Sequence, residues 1–207
     1  MKIVEQGYVI LTPIFQEAIY GIIERAGRTA YKSEDKITID SSVPFIAKII
    51  KLGHEAVLEH ASFSVRFITD RGVTHELVRH RLCAYTQEST RYCNYGGKDI
   101  VFIRPVFWHK DDPEYAVWVM AMEKAEFYYH CFTNDSYNCS PQEARTVLPN
   151  SLKTEIVCTA NIREWRHIMR LRTAKSAHPQ MRALMIPLLV ELREKLPVLF
   201  NDVGVVV

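Results

Sequence analysis

Arginine, histidine and hydroxyl side chains crowd into one short run, H-E-L-V-R-H-R-L-C-A-Y-T-Q-E-S-T-R-Y at residues 75–92. Arg79 and Arg81 flank His80, and Gln87, Glu88, Ser89, Thr90 and Arg91 follow as an unbroken set of hydrogen-bonding groups. Guanidinium forks and hydroxyls are the groups that hold a phosphate monoester. On a helix, residues two apart diverge by roughly 200°. Arg79 and Arg81 can therefore share one small ligand only if the helix ends there. Otherwise they serve different ligands, or a site between surfaces such as those of two subunits. The plainer reading is a solvated helix end with surface ion pairs, because most charged side chains are simply exposed.

A second run, N-I-R-E-W-R-H-I-M-R-L-R at residues 161–172, reads as a helix. Ile162, Trp165, Ile168 and Met169 fall on one apolar arc, with Arg163, Arg166, His167 and Arg170 opposite. Arg172 breaks the pattern and lies on the apolar arc. An inward guanidinium needs an anion or carbonyl acceptors. The alternative is a side chain that snorkels at the helix C-terminus, where a cation is favoured anyway.

The third run, G-H-E-A-V-L-E-H at residues 53–60, offers His54, Glu55, Glu59 and His60. His54 and His60 are six apart rather than the four of H-E-x-x-H, so a loop with hydrogen-bonded histidines fits better than a metal site, and no metal is expected. No G-x-G-x-x-G, Walker or G-x-S-x-G motif is present. Any nucleotide must then be gripped by side chains.

Elements must position these groups. The chain has 207 residues, 48% of them apolar and 24% charged, with a net charge of +2. That is an ordinary globular composition, and the charge is too small to demand a nucleic-acid partner. The five cysteines include no C-x-x-C pair, so a reduced, cytoplasmic protein is expected. Glu5 and Gln6 interrupt what a signal peptide would need, and the apolar stretch Ala183 to Val190 is too short to span a bilayer. Residues 2–11 read as a strand and 14–27 as an amphipathic helix; Ser42 opens another helix running roughly to Leu52. A-S-F-S-V-R-F alternates as a half-buried strand. Gly72 opens a helix through Leu82, and a polar, irregular or extended stretch follows to about Pro105. A long helix spans about 112–132, Ser140 and Glu143 form a capping box, and L-K-T-E-I-V-C-T is a strand. Asn161 with Glu164 caps the next helix, and Pro179 starts the last. This order predicts an α+β fold, a mostly antiparallel central sheet flanked by helices.

Arg79-His80-Arg81, seven residues and then Ser89 complete R-H-R-x7-S. With it come G-H-E-x-x-x-E-H, S-x-R-Y at Ser89 to Tyr92, R-x-V-L-P at Arg145 to Pro149, N-x-R at Asn161 to Arg163, and the pair Arg172 and His178. In this order along nearly the whole chain, the set resembles the flavin-dependent thymidylate synthases. The resemblance implies a thymidylate synthase-complementing fold, one domain over residues 1–207, and a homotetramer with shared active sites. It implies one FAD per site, reduced by NADPH, mediating one-carbon transfer from 5,10-methylenetetrahydrofolate to C5 of dUMP. By the same resemblance His54, Arg79, His80, Arg81, Gln87, Asn161, Arg163 and His167 lie on the cofactor side. Glu76, Arg79, Gln87, Glu88, Ser89, Thr90, Arg91, Arg145 and Arg172 lie on the dUMP side, with Arg172 polarising the uracil ring. Glu76 and Gln87 stand where many relatives carry Gln and Glu, so the acid and the amide are exchanged.

Two rival readings remain open at the level of sequence. Cys83 or Cys93 could serve as a nucleophile beside the arginines. The segment 145–182, with eight Lys or Arg against two Glu, could bind RNA or DNA, although Trp165 is its only stacking platform.

Overall fold

The computed structural model describes residues 1–134 and 136–204. The strands are β1 Lys2–Val4, β2 Gly7–Ile10, β3 Ser62–Asp70, β4 Ala84–Gln87, β5 Val101–Ile103 and β6 Lys153–Asn161. The helices are α1 Gln16–Tyr31, α2 Ser42–Lys51, α3 Arg71–Leu77, α4 Pro113–Thr133, α5 Pro141–Ala144, α6 Ile162–Arg172, α7 Pro179–Lys195 and α8 Pro197–Phe200. One four-stranded sheet has the order β2-β3-β6-β4. Leu11 N–H bonds Ser64 O while Thr69 bonds Gln6, so β2 and β3 run antiparallel. Ile162 N–H bonds Ala61 O while Ser64 meets Thr159, which makes β3 and β6 antiparallel as well. The α+β expectation holds.

Alternation builds the central strands. Phe63, Val65 and Phe67 of β3 are at most 1% exposed, and Ile156 and Cys158 of β6 are fully buried. Other expectations shift. Residues 2–11 divide into β1 and β2, because Glu5 pairs with Arg104 and Gln6 turns to Thr69. β1 then pairs in parallel with β5, Lys2 opposite Val101, in a two-stranded sheet; β5 lies in the stretch up to Pro105 read as irregular or extended.

The chain forms two compact units, and β3 and β6 each pass through both. The first comprises Met1–Gly7, Phe67–Arg79 and Tyr85–Val157. Its core gathers Ile100, Phe102, Trp118, Met122 and Tyr129. The second comprises Tyr8–Arg66, His80–Ala84 and the chain from Cys158 onward. There Trp165 stacks on Phe63 with ring centroids 4.9 Å apart, and its Nε1 donates to Phe63 O.

Two local departures matter for the site. The helix expected through Leu82 stops at Leu77. The Tyr85 hydroxyl donates to Leu77 O at 2.7 Å, and Arg79 N–H turns back to Glu76 O, which satisfies carbonyls a longer helix would have used. Arg79, His80 and Arg81 are therefore released from helical spacing. Arg166, expected on the solvent face of its helix, is fully buried instead. Asp202 grips it with two bonds of 2.7 Å, Leu199 O accepts a third, and Glu55 approaches at 3.3 Å. The cover comes from α8 and the turn after it, which helical periodicity in α6 cannot reveal.

Candidate active site

In the second unit the local chemistry starts at the N-terminus of α6. Asn161 Oδ1 accepts the backbone N–H of Glu164 at 2.8 Å, as the spacing predicted. A capping box would send the Glu164 carboxylate back to the Asn161 backbone. It lies instead 3.3 Å from His80 Nδ1. His80 and Glu164 are both buried, 5% and 7% exposed. At the far end of α6, Arg172 Nε donates to His80 Nε2 at 2.9 Å. The inward arginine thus has an imidazole nitrogen as acceptor, an option beyond the anions and carbonyls weighed above.

A ring nitrogen that accepts a hydrogen bond carries no proton, so His80 is neutral with its proton on Nδ1. Its electrostatics agree. Burial, then the charges of Arg172 and His167, pull the His80 pKa down to about 4. Burial pushes the Glu164 carboxyl above its ordinary range, against the pull of His167 and Arg163. His80, Glu164 and His167 each offer a ligand atom within 4.8 Å of the others. The Arg172 proton already occupies His80 Nε2, and the guanidinium charge beside the ring repels a cation. The three are better read as a proton-fixed cluster than as a metal centre.

The remaining residues expected on the cofactor side divide between exposure and pairing. Arg81 and His167 are exposed, and the His167 ring meets His80 edge-on at 5.6 Å. Arg163 is ion-paired with Glu59 at 2.6 Å on the surface. His54 is exposed ahead of a 3-10 turn, Glu55–His60. It lines a cavity of about 580 Å³ with Arg28, Lys36, Phe45 and Lys48.

The first unit holds the dUMP-side residues from the hydroxyl-rich run. Thr90 is buried, and its hydroxyl accepts from Arg145 Nη1 at 3.3 Å. Ser89 O accepts the backbone N–H groups of Tyr92 and Cys93, and Ser89 Oγ accepts that of Arg91. The turn so formed gathers a hydroxyl and two guanidiniums, with Arg91 resting over the Tyr92 ring. That is a donor set for a phosphate. Gln87 instead spends its amide protons on Thr74 and Thr154 at 3.0 and 3.3 Å. Glu88 accepts from Tyr95 at 2.7 Å and Lys153 at 3.2 Å. Burial and the Glu88 bond push the Tyr95 phenol upward. For Lys153, burial lowers the pKa, but the Glu155 bond and the Glu88 charge outweigh it. Glu76 is half-buried near the end of α3, and Arg79 is exposed beyond it.

Sequence reasoning missed Glu164 as anything but a cap, and missed Tyr95 and Lys153 altogether. The N3 carboxylate was visible, but which partner it would choose was not. The basic segment also reads differently in the fold. Lys153, Arg163, Arg166 and Arg170, half of its eight cations, each face a carboxylate within 4 Å, which reduces the charge it offers a polynucleotide. Among the described residues, no helix is long and apolar enough to cross a membrane.

The family model described as thymidylate synthase complementing protein matches residues 18–198. A flavin-dependent thymidylate synthase of Corynebacterium efficiens is 32% identical over 198 residues, spanning 87% of this chain and 78% of its own. Those of Geobacter sulfurreducens and Mycobacterium marinum are 33% and 36% identical, over 86% and 87% of this chain and 79% and 78% of theirs. The crystal structure of a UMP/dUMP methylase, PolB from Streptomyces cacaoi, bound with 5-Br dUMP, superposes with a TM-score of 0.80. It covers 97% of this chain and 96% of its own at 20% identity, a likeness of fold. With motifs, fold and relatives in agreement, the chain belongs to the thymidylate synthase complementing protein family, that of the flavin-dependent thymidylate synthases.

Proposed function

We propose that this protein is a flavin-dependent thymidylate synthase, converting dUMP to dTMP. The one-carbon unit comes from 5,10-methylenetetrahydrofolate and the electrons from NADPH. The whole chain acts as one catalytic domain in a cytoplasmic homotetramer with shared active sites, without membrane or nucleic-acid partners. Family membership supports this reading, and one observation carries it: the Arg172 guanidinium held through Nε by a buried, neutral His80.

The donor set of the second unit fits FAD. Arg81 and Arg163 are exposed guanidiniums, and His54 and His167 are exposed imidazoles. Together they suit a pyrophosphate and the polar edge of a flavin where no glycine-rich loop exists. Asn161 and His80 stand on the same side but are already engaged, Asn161 Oδ1 by the cap of α6 and His80 by Arg172 and Glu164. When bound, the flavin supplies the redox and one-carbon chemistry that side chains lack. The chain's own residues bind and polarise. Ser89, Thr90, Arg91 and Arg145 hold the dUMP phosphate, and Arg79 and Glu76 also serve dUMP, while Gln87 and Glu88 set the shape of the turn. Arg172 stabilises negative charge at N3 and O4 of uracil, which pushes electron density to C5 and makes it the nucleophile. A charge fixed in advance does this without reorganising.

The test is dTMP formation by the purified protein. Product is expected only when FAD, NADPH, methylenetetrahydrofolate and dUMP are all supplied. An FAD-loaded protein that yields no dTMP under those conditions would overturn the assignment.

A further inference from the structure

We infer that Glu164 and His80 are positioning residues for Arg172: the carboxylate keeps the imidazole proton on Nδ1, so that Nε2 stays open to hold the guanidinium by its Nε. The inference deepens the reading of Arg172 as the group that acts on uracil, and it rests on that reading.

The geometry makes a one-way chain. Arg172 Nε has a single proton, given to His80 Nε2 at 2.9 Å. An arginine never accepts, so the ring must present a lone pair there. Its proton is then on Nδ1, and Nδ1 faces Glu164 Oε1 at 3.3 Å. Without a carboxylate at Nδ1, a neutral imidazole could place its proton on Nε2, which would point at the guanidinium and drive it away. Glu164 removes that choice. Both groups are buried, so water cannot easily substitute for either. Glu164 is itself fixed, because Asn161 binds its backbone N–H in the first turn of α6. Arg172 stands in the last turn of the same helix. One helix thus carries both ends of the chain of contacts, and His80 clamps one to the other.

The grip also suits the task. Binding through Nε fixes the plane of the guanidinium, and with it the direction of the Nη fork, the part shaped for two parallel hydrogen bonds. Misplacement of a polarising charge by about 1 Å costs roughly 100-fold in rate.

Two measurements test this. Long-range proton–nitrogen correlation on the wild-type protein, with histidines labelled with 15N, reads the tautomer directly. The Nδ1–H form is expected for His80 at neutral pH, whether or not the enzyme turns over. An Nε2–H ring, or a doubly protonated one, overturns the inference. Kinetics supply the second arm. Glu164→Leu should lower kcat for dTMP formation about 10- to 100-fold, with KM for dUMP and retained FAD changed less than about threefold. Glu164→Gln keeps an acceptor oxygen at the same place and should recover most of the loss. Equal kcat in wild type and Glu164→Leu overturns the positioning role while leaving the proposed function standing. A wild-type protein that makes no dTMP sinks the function instead, and the tautomer measurement still reports on the clamp. Should Glu164→Leu fail to fold, Glu164→Gln against Glu164→Ser gives the same comparison, and equal kcat in that pair counts against the clamp.

Discussion

Acid should cost this protein stability through His80, by an amount the site itself fixes. In the unfolded chain this histidine titrates near 6.5, and in the fold burial and Arg172 pull it down to about 4. Between those values the unfolded state binds more protons than the native one. Stability is therefore fully present above about pH 6.5 and falls as the pH drops toward 4. At 1.36 kcal/mol per pH unit the full loss approaches about 3 kcal/mol, and about 2 kcal/mol of it is gone by pH 5. Glu164, whose carboxyl is raised by burial, works in the opposite sense, because its contribution is lost as the pH rises through its folded pKa. The comparison to make is thus between wild type and His80→Gln. Urea unfolding at pH 7.5, 6.5, 5.5 and 5.0 gives the free energy of each. The wild-type curve should fall by about 2 kcal/mol more than the variant between pH 7.5 and 5.0. Parallel curves would mean that His80 is not held neutral, and the tautomer assigned from Arg172 would be wrong.

Arg145→Ala should weaken dUMP binding, measured by calorimetry, by about 1–2 kcal/mol while retained FAD is unchanged, since Arg145 reaches the turn that carries Thr90. Replacing both Cys83 and Cys93 by Ala should leave dTMP formation within about twofold of wild type; its abolition would restore the cysteine-nucleophile reading. Arg166→Met leaves the half-exposed Asp202 without its buried partner and should lower unfolding free energy by about 1–3 kcal/mol, read from denaturant midpoints.

Much of the scaffold could be read from residues alone, and the exceptions share a cause. The alternation of Phe63, Val65 and Phe67 marked β3 because a strand with one buried face has a period of two. The Asn161 and Ser140 caps were visible because capping is local, and both helices start where those residues stand. What failed was non-local. The end of α3 at Leu77 depends on a hydroxyl from Tyr85. The burial of Arg166 depends on Leu199 and Asp202, more than thirty residues away. β5 is a short strand held by β1 beside it and by a bridge from Phe102 to Leu152, fifty residues on. At the candidate site the residue types were legible, and so was the oddity of an inward Arg172. The partner of Arg172 was not, because His80 meets it, and Glu164 meets His80, only in the fold.

The most direct measurement is a single turnover of dUMP to dTMP by reduced, FAD-loaded wild type and Arg172→Gln, with bound flavin checked by absorbance in both. A positioned guanidinium that polarises uracil predicts that the variant keeps its flavin and forms dTMP at least about 100-fold more slowly. Wild-type dTMP formation by flavin-loaded Arg172→Gln would contradict the account.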